Sequence, residues 1–162
     1  MREYEHIVHP FEPLFDKDAR ILILGSLPSV KSREQNFFYG HPQNRFWKLI
    51  AVLYDEPVPQ DIEEKRRLIL GHDIALWDTI YSCDIIGSSD SSIKNVVPTD
   101  LKRIIEHSAV ERIYCNGMTS GRYFEKYHEP ELGIKAVTLP STSPANAAWS
   151  FDRLLEAWRV IL

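Results

Sequence analysis

Residues 20–29 read RILILGSLPS. The run Arg20–Gly25 is continuously apolar up to its glycine, with no alternation of polar and apolar positions. That is the form of a strand covered on both faces rather than one with a solvated side. Three further runs share it: IALWDTI over Ile74–Ile80, RIYCNG over Arg112–Gly117 and IKAVTL over Ile134–Leu139. Helical spacing lies between them. Phe46, Leu49, Ile50 and Leu53 repeat at i, i+3, i+4 and i+7, and Asp61–Gly71 is charged early, apolar late and closed by glycine. Thr99 is positioned to cap a helix burying Leu101, Ile104 and Ile105. Phe151, Leu154, Leu155, Trp158 and Ile161 form the stripe of a last helix. Strands alternating with helices predict a three-layer α/β/α domain around a central parallel four-stranded sheet, with residues 1–162 as one domain. The first nineteen residues read as a poorly patterned lead-in, and Gly87–Ser92 as a loop.

Composition narrows the classes. A chain of 162 residues can bury a substantial core, and no apolar run is long enough to span a bilayer. MREYEHIVHP lacks the apolar middle of a signal peptide. Cys83 and Cys115 are too few for a four-thiolate metal or iron–sulfur site, and nothing requires them to pair. A reducing cytoplasm is the expected compartment, at the nucleoid if the source is prokaryotic. The net charge of −4 argues mildly against nucleic acid, since phosphate contacts supply most non-specific affinity. A local patch could still act, because screening limits each charge to about 8–10 Å. Lys31, Arg33, Arg45 and Lys48 are its candidates.

In open α/β sheets, ligands bind beyond the carboxyl ends of the strands. The four runs end in Gly25-Ser26-Leu27-Pro28-Ser29, in Asp78-Thr79, in Asn116-Gly117 and in Pro140–Asn146, all small, polar or kinked. Acyl transfer fits poorly, because no G-x-S-x-G elbow exists. Neither nucleotide-phosphate motif, G-x-G-x-x-G nor G-x-x-x-x-G-K-[ST], is present. The six histidines show no i, i+4 pair and no common loop, so surface or capping roles are expected and no metal site. One stretch remains: Phe38–Trp47, FYGHPQNRFW, sets His-Pro-Gln-Asn between two aromatic clusters. A planar ligand with polar edges, such as a nucleobase, wants rings to stack on and amides at its rim. Equally, Pro42 favours a helix start, with His41 or a neighbour as cap and Phe46 and Trp47 in the core.

Taken together, these motifs resemble the uracil-DNA glycosylase superfamily. Gly25-Ser26-Leu27-Pro28-Ser29 looks like its first motif, and HPQNRFWKLI is similar to the same stretch in the mismatch-specific branch. LPSTSPANAAW, Leu139–Trp149, looks like its second motif, the loop that presses the duplex beside the flipped nucleotide. WDTIYSC followed by GSSDSSI, and Asn116-Gly117 after the third strand, are most similar to the hypoxanthine-DNA glycosylase branch. The likeness runs from about Arg20 to the end of the chain. One departure stands out: Leu27 occupies the place where the mismatch-specific branch carries asparagine, and leucine cannot polarise water.

The resemblance implies a uracil-DNA glycosylase-like fold and a monofunctional glycosylase acting on deaminated bases in double-stranded DNA, as a monomer, without cofactor. Hypoxanthine is the expected base. Uracil or thymine opposite guanine, or lesion or nucleotide binding without cleavage, stand as alternatives. The hypoxanthine branch depends on asparagines at such a site, so Asn44 and Asn116 are the first catalytic candidates and Asn36 the third. Ser26, Phe38, Tyr39 and Asp78 are expected to face the base, with Phe37 as another possible ring. Ser29, Ser141, Ser143 and Asn146 are expected to meet DNA. The two loop serines would grip phosphates, aided by the start of the last helix, and Asn146 would plug the gap. No lysine is expected in the pocket, which excludes a Schiff base.

Overall fold

The computed structural model describes residues 3–162, so Met1 and Arg2 of the expected lead-in lie outside the described residues. In chain order the strands are β1 (Glu5–Val8), β2 (Ile21–Gly25), β3 (Ile74–Asp78), β4 (Ile80–Ile85), β5 (Lys94–Pro98), β6 (Arg112–Asn116) and β7 (Ala136–Leu139). The helices are α1 (Val30–Gln35), α2 (Phe46–Leu53), α3 (Ile62–Gly71), α4 (Lys102–Ile105), α5 (Met118–Tyr123), α6 (Glu129–Leu132) and α7 (Phe151–Trp158). The four apolar runs form one parallel sheet in the order β3-β2-β6-β7. Every residue of β2 and β3 is buried, which is why their sequences never alternate. From β2 the chain returns to one side as β3 and later crosses to the other as β6. The crevice at the end of β2 is therefore the topological switch point.

A second sheet, antiparallel in the order β1-β4-β5, was not anticipated. The strand expected over 74–80 stops at Asp78, and after Thr79 the chain enters β4. Thr79 N–H donates to the Gly25 carbonyl at 2.8 Å and Ile80 N–H to that of Ser26 at 3.0 Å, which pins the crossover onto the end of β2. The lead-in likewise contains structure, because β1 pairs with β4 in the register Val8↔Ser82. Ile80, Cys83 and Ile85 build a small apolar cluster with Ile7 and Leu27 beside the main core.

Local chemistry sets the helix ends. Asp61 Oδ1 accepts from Glu64 N–H at 2.8 Å at the start of α3, and Ser150 caps α7 through Arg153 N–H. Gly71 lies inside α3, with His72 as its C-cap. Thr99 does not cap α4: its hydroxyl donates to the Asp78 carbonyl at 2.6 Å, tying β5 to the end of β3. No described helix is long and apolar enough to cross a membrane.

His128 gives this fold a pH dependence. It is buried, bonds the Thr79 carbonyl through Nε2 at 2.9 Å, and burial lowers its pKa. The unfolded chain then binds the proton more readily, so stability falls as pH drops below the ordinary histidine value near 6.5. The thermal midpoint should decline less between pH 7.5 and 5 in His128→Gln than in the parent; equal slopes would show that His128 is not the titrating group.

Candidate active site

A cavity of about 280 Å³ opens at the carboxyl ends of β2, β3 and β6, under the loop that follows β7. Its floor is Gly25 and Asp78, and Ser26–Ser29 form one side. Phe38, Tyr39 and Asn44 form another, while Asn116, Gly117 and Ser141–Ser143 close it. The strand-end rule therefore gathers the residues that the sequence placed there.

Three side chains link the walls. Asn44 Oδ1 accepts from Phe46 N–H at 2.9 Å, serving the bare first turn of α2, and from Thr142 Oγ1 at 2.8 Å. Asn116 Oδ1 accepts from Thr142 N–H, and Asn116 Nδ2 donates to Thr142 Oγ1, both at 3.0 Å. Both amide oxygens are thus occupied within the protein. What remains is the whole amide NH₂ of Asn44 and one N–H of Asn116. Both are donors. Thr142, the hub of these bonds, is fully buried, and nothing in the sequence sets it apart from Ser141 and Ser143 on either side.

Beneath them lies an unusual ring. Tyr39 has a left-handed backbone (φ 51°), a costly conformation for a bulky residue, and stacks on Phe46 with centroids 4.0 Å apart. Its hydroxyl is buried without a hydrogen-bond partner among the described residues, the Asn116 amide nearby falling short of bonding geometry. Burial foremost, and then the Asp78 charge, push its pKa up, so it stays a protonated donor. A Cβ on Gly25 would lie 2.5 Å from Asp78 Oδ1 and 3.5 Å from Tyr39 Oη, so only glycine admits both groups at the floor. Gly117 is needed for a similar reason: its φ is 101° and a Cβ would meet that of Ser141 at 3.1 Å.

Asp78 is held from behind by His9, Nε2 to Oδ2 at 2.6 Å, with both side chains almost wholly buried. This corrects the expectation that the histidines are surface or capping groups. His9 follows β1, and its N–H donates to the Tyr81 carbonyl, so the unanticipated sheet delivers it. Nothing in the sequence near His9 signals the pairing.

The loop after β7 is clamped from below by Arg45. Its guanidinium donates to the carbonyls of Ser143 (3.0 Å), Asn146 (3.1 Å), Trp149 and, through Nε, Thr142 (3.4 Å). Arg45 is therefore committed to the protein interior rather than to a phosphate patch. Lys31 pairs with Glu34, Lys48 lies over Phe151, and Arg33 lines the cavity while donating to the Pro28 carbonyl. Ser141 and Ser143 accept from the N–H groups of Ser143 and Ala145, keeping their own hydroxyl hydrogens free. The helix start expected beside them lies farther on, at Ser150.

Several expected site residues are occupied elsewhere. Asn146 folds back onto the Ser141 carbonyl at 3.0 Å, and Ala145 and Ala147 are the exposed neighbours. Ser29 lines the cavity, but its hydroxyl caps α1. Asn36 is the exposed, left-handed C-cap of α1 and does not line the cavity. Phe37 packs on Trp47 in the core, whereas Phe38 reaches the cavity. Phe46 and Trp47 are core residues, as the second reading of that stretch expected, but the helix begins at Phe46 rather than at Pro42.

Among the described residues no lysine lines the cavity and no three His, Cys, Asp or Glu side chains are grouped to hold a metal ion; burial pushes the Cys115 thiol up to about 11.

Comparison with known proteins agrees with this architecture. Residues 12–162 match the family described as the Uracil DNA glycosylase superfamily. The chain is 35% identical over 156 residues to a hypoxanthine DNA glycosylase of Methanosarcina acetivorans, covering 93% of this chain and 95% of the relative. A hypoxanthine DNA glycosylase of Methanosarcina barkeri is 33% identical over 142 residues, covering 84% and 86%. The solution NMR structure of a candidate uracil DNA glycosylase from Methanosarcina acetivorans superposes with a TM-score of 0.81 at 31% identity, covering 96% of each chain.

Proposed function

Because the chain belongs to the uracil-DNA glycosylase superfamily, we propose that it is a monofunctional DNA glycosylase, a monomer of one domain, that removes hypoxanthine from double-stranded DNA. The reading is carried by two fixed donors in the cavity: asparagines whose oxygens are tied to Thr142 and Phe46, leaving amide hydrogens free. Hydrolysis of an N-glycosidic bond builds negative charge on the departing base. Donors fixed in advance at that charge, without reorganisation, stabilise the transition state by roughly 3–4 kcal/mol each. Asn116 donates to the purine edge from the end of β6, and Asn44 to the base or to water from the opposite wall. Phe38 supplies the aromatic face, while Ser141 and Ser143 donate to the flanking phosphates. With no lysine in the cavity, the product is an abasic site. Neutral hydroxyls at the loop suit a chain whose net charge is −4.

Leu27 lines the cavity and brings no polar atom, which favours a second reading as a lesion binder. Base release decides between them. Duplexes carrying one hypoxanthine, uracil, or thymine opposite guanine should lose hypoxanthine fastest. Faster release of uracil or thymine would move the chain to the mismatch-specific activity. Tight binding of abasic DNA with no release at all would establish the binding role.

A further inference from the structure

We propose that the buried His9–Asp78 pair reads the N1–H of hypoxanthine and rejects adenine, with Asp78 touching the base and His9 acting as its positioning residue; this rests on the hypoxanthine reading above. Two hydrogen bonds define the pair. Phe11 N–H donates to His9 Nδ1 at 3.5 Å, which leaves the ring proton on Nε2, and Nε2 meets Asp78 Oδ2 at 2.6 Å. One carboxylate oxygen is thereby occupied from behind. Among the described residues no donor reaches the other, Oδ1, which stands over Gly25 at the cavity floor. The partnerless Tyr39 hydroxyl approaches the same point above Gly25.

An acceptor and a donor thus both lie within 3.5 Å of one point above Gly25. Deamination of adenine converts its N1 from an acceptor to an N1–H donor, and its exocyclic amine from a donor to the acceptor O6. Hypoxanthine therefore matches Asp78 Oδ1 with N1–H and the Tyr39 hydroxyl with O6. Adenine presents a lone pair at N1. The Tyr39 hydroxyl can rotate to suit either base, but a carboxylate only accepts. Discrimination consequently falls on Asp78. A site whose buried polar group is left unpaired by the wrong substrate rejects it strongly.

A purely structural pair, stapling β1 to the end of β3, would stabilise the fold without sensing N1. Single-turnover release from duplexes carrying hypoxanthine or N1-methylhypoxanthine separates the two roles. Methylation should slow the parent protein roughly 10- to 100-fold, the range for losing one hydrogen bond to a charged group. The isosteric Asp78→Asn variant should release hypoxanthine more slowly and show a much smaller methylation penalty. His9→Gln, which keeps a donor, should retain most of that penalty, and His9→Leu should lose it; melting curves confirm that each is folded. An equal penalty in the parent and Asp78→Asn, with hypoxanthine still released, overturns the proposal alone. Release of uracil but not hypoxanthine by the parent overturns the substrate reading, and this inference with it.

Discussion

Asn116→Ala should lower the rate of hypoxanthine release by roughly 10²- to 10³-fold under single-turnover conditions, the cost of removing one fixed donor from a developing negative charge. Asn44→Ala should lose a similar factor. In both cases the fall should lie in the chemical step, with weaker effects on duplex binding, because the donors act on charge that appears only as the bond breaks. Asn44→Asp sharpens the test. It preserves the oxygen that accepts from Phe46 and Thr142 but replaces the amide hydrogens with a second acceptor, so it should be no more active than the alanine variant. If Asn44→Asp kept the parent rate, Asn44 would serve only to start α2. The two asparagines share Thr142, so their effects should not add. The double alanine variant should lose less than the product of the single losses, and Thr142→Val should reproduce part of both.

Much of this arrangement was legible because it sits on apolar strands with small or polar ends. RILILG, IALWD and RIYCN are unalternating, so their burial between layers, their parallel pairing and their convergence at one crevice followed from pattern alone, whereas AVTL, equally unalternating, is an edge strand with Val137 and Thr138 exposed. Gly25, Asp78 and Asn116 then had to meet. What escaped notice depends on side chains and edges. β1 reads EHIV with three of its four residues exposed, so no periodicity distinguishes it from coil. Thr79 carries the chain from one sheet into another with neither glycine nor proline to mark the break, and IALWDTI reads as a single run. Without β1, the pairing of His9 with Asp78 could not be foreseen. The direction of an asparagine amide is likewise invisible in a sequence; only Thr142 shows that both asparagines turn their oxygens inward.

Arg45 is where sequence and structure disagree most usefully. A basic residue in a stretch resembling a DNA repair motif suggests a phosphate contact, yet its guanidinium is spent on four carbonyls of the Thr142–Trp149 loop. Its own backbone N–H also donates to Thr142, at 3.1 Å. Arg45→Ala would strand those carbonyls in a partly buried loop and should cost about 2–4 kcal/mol of stability, with water replacing some of the lost bonds. The same loop carries Thr142, so both asparagines lose their anchor. A shift of about 1 Å at a reacting group can cost on the order of 10²-fold in rate, and release should fall by at least that much at temperatures where the variant remains folded. Lysine should not rescue it, since one ammonium cannot spread planar donors across four acceptors. The dependence of duplex binding on salt isolates the alternative. A residue that contacts phosphate lowers the slope of log affinity against log salt by about one unit when removed, whereas an internal clamp leaves it unchanged. Arg45→Lys with parent-like release and an unchanged melting temperature, or Arg45→Ala with a reduced salt slope, would return Arg45 to the DNA surface.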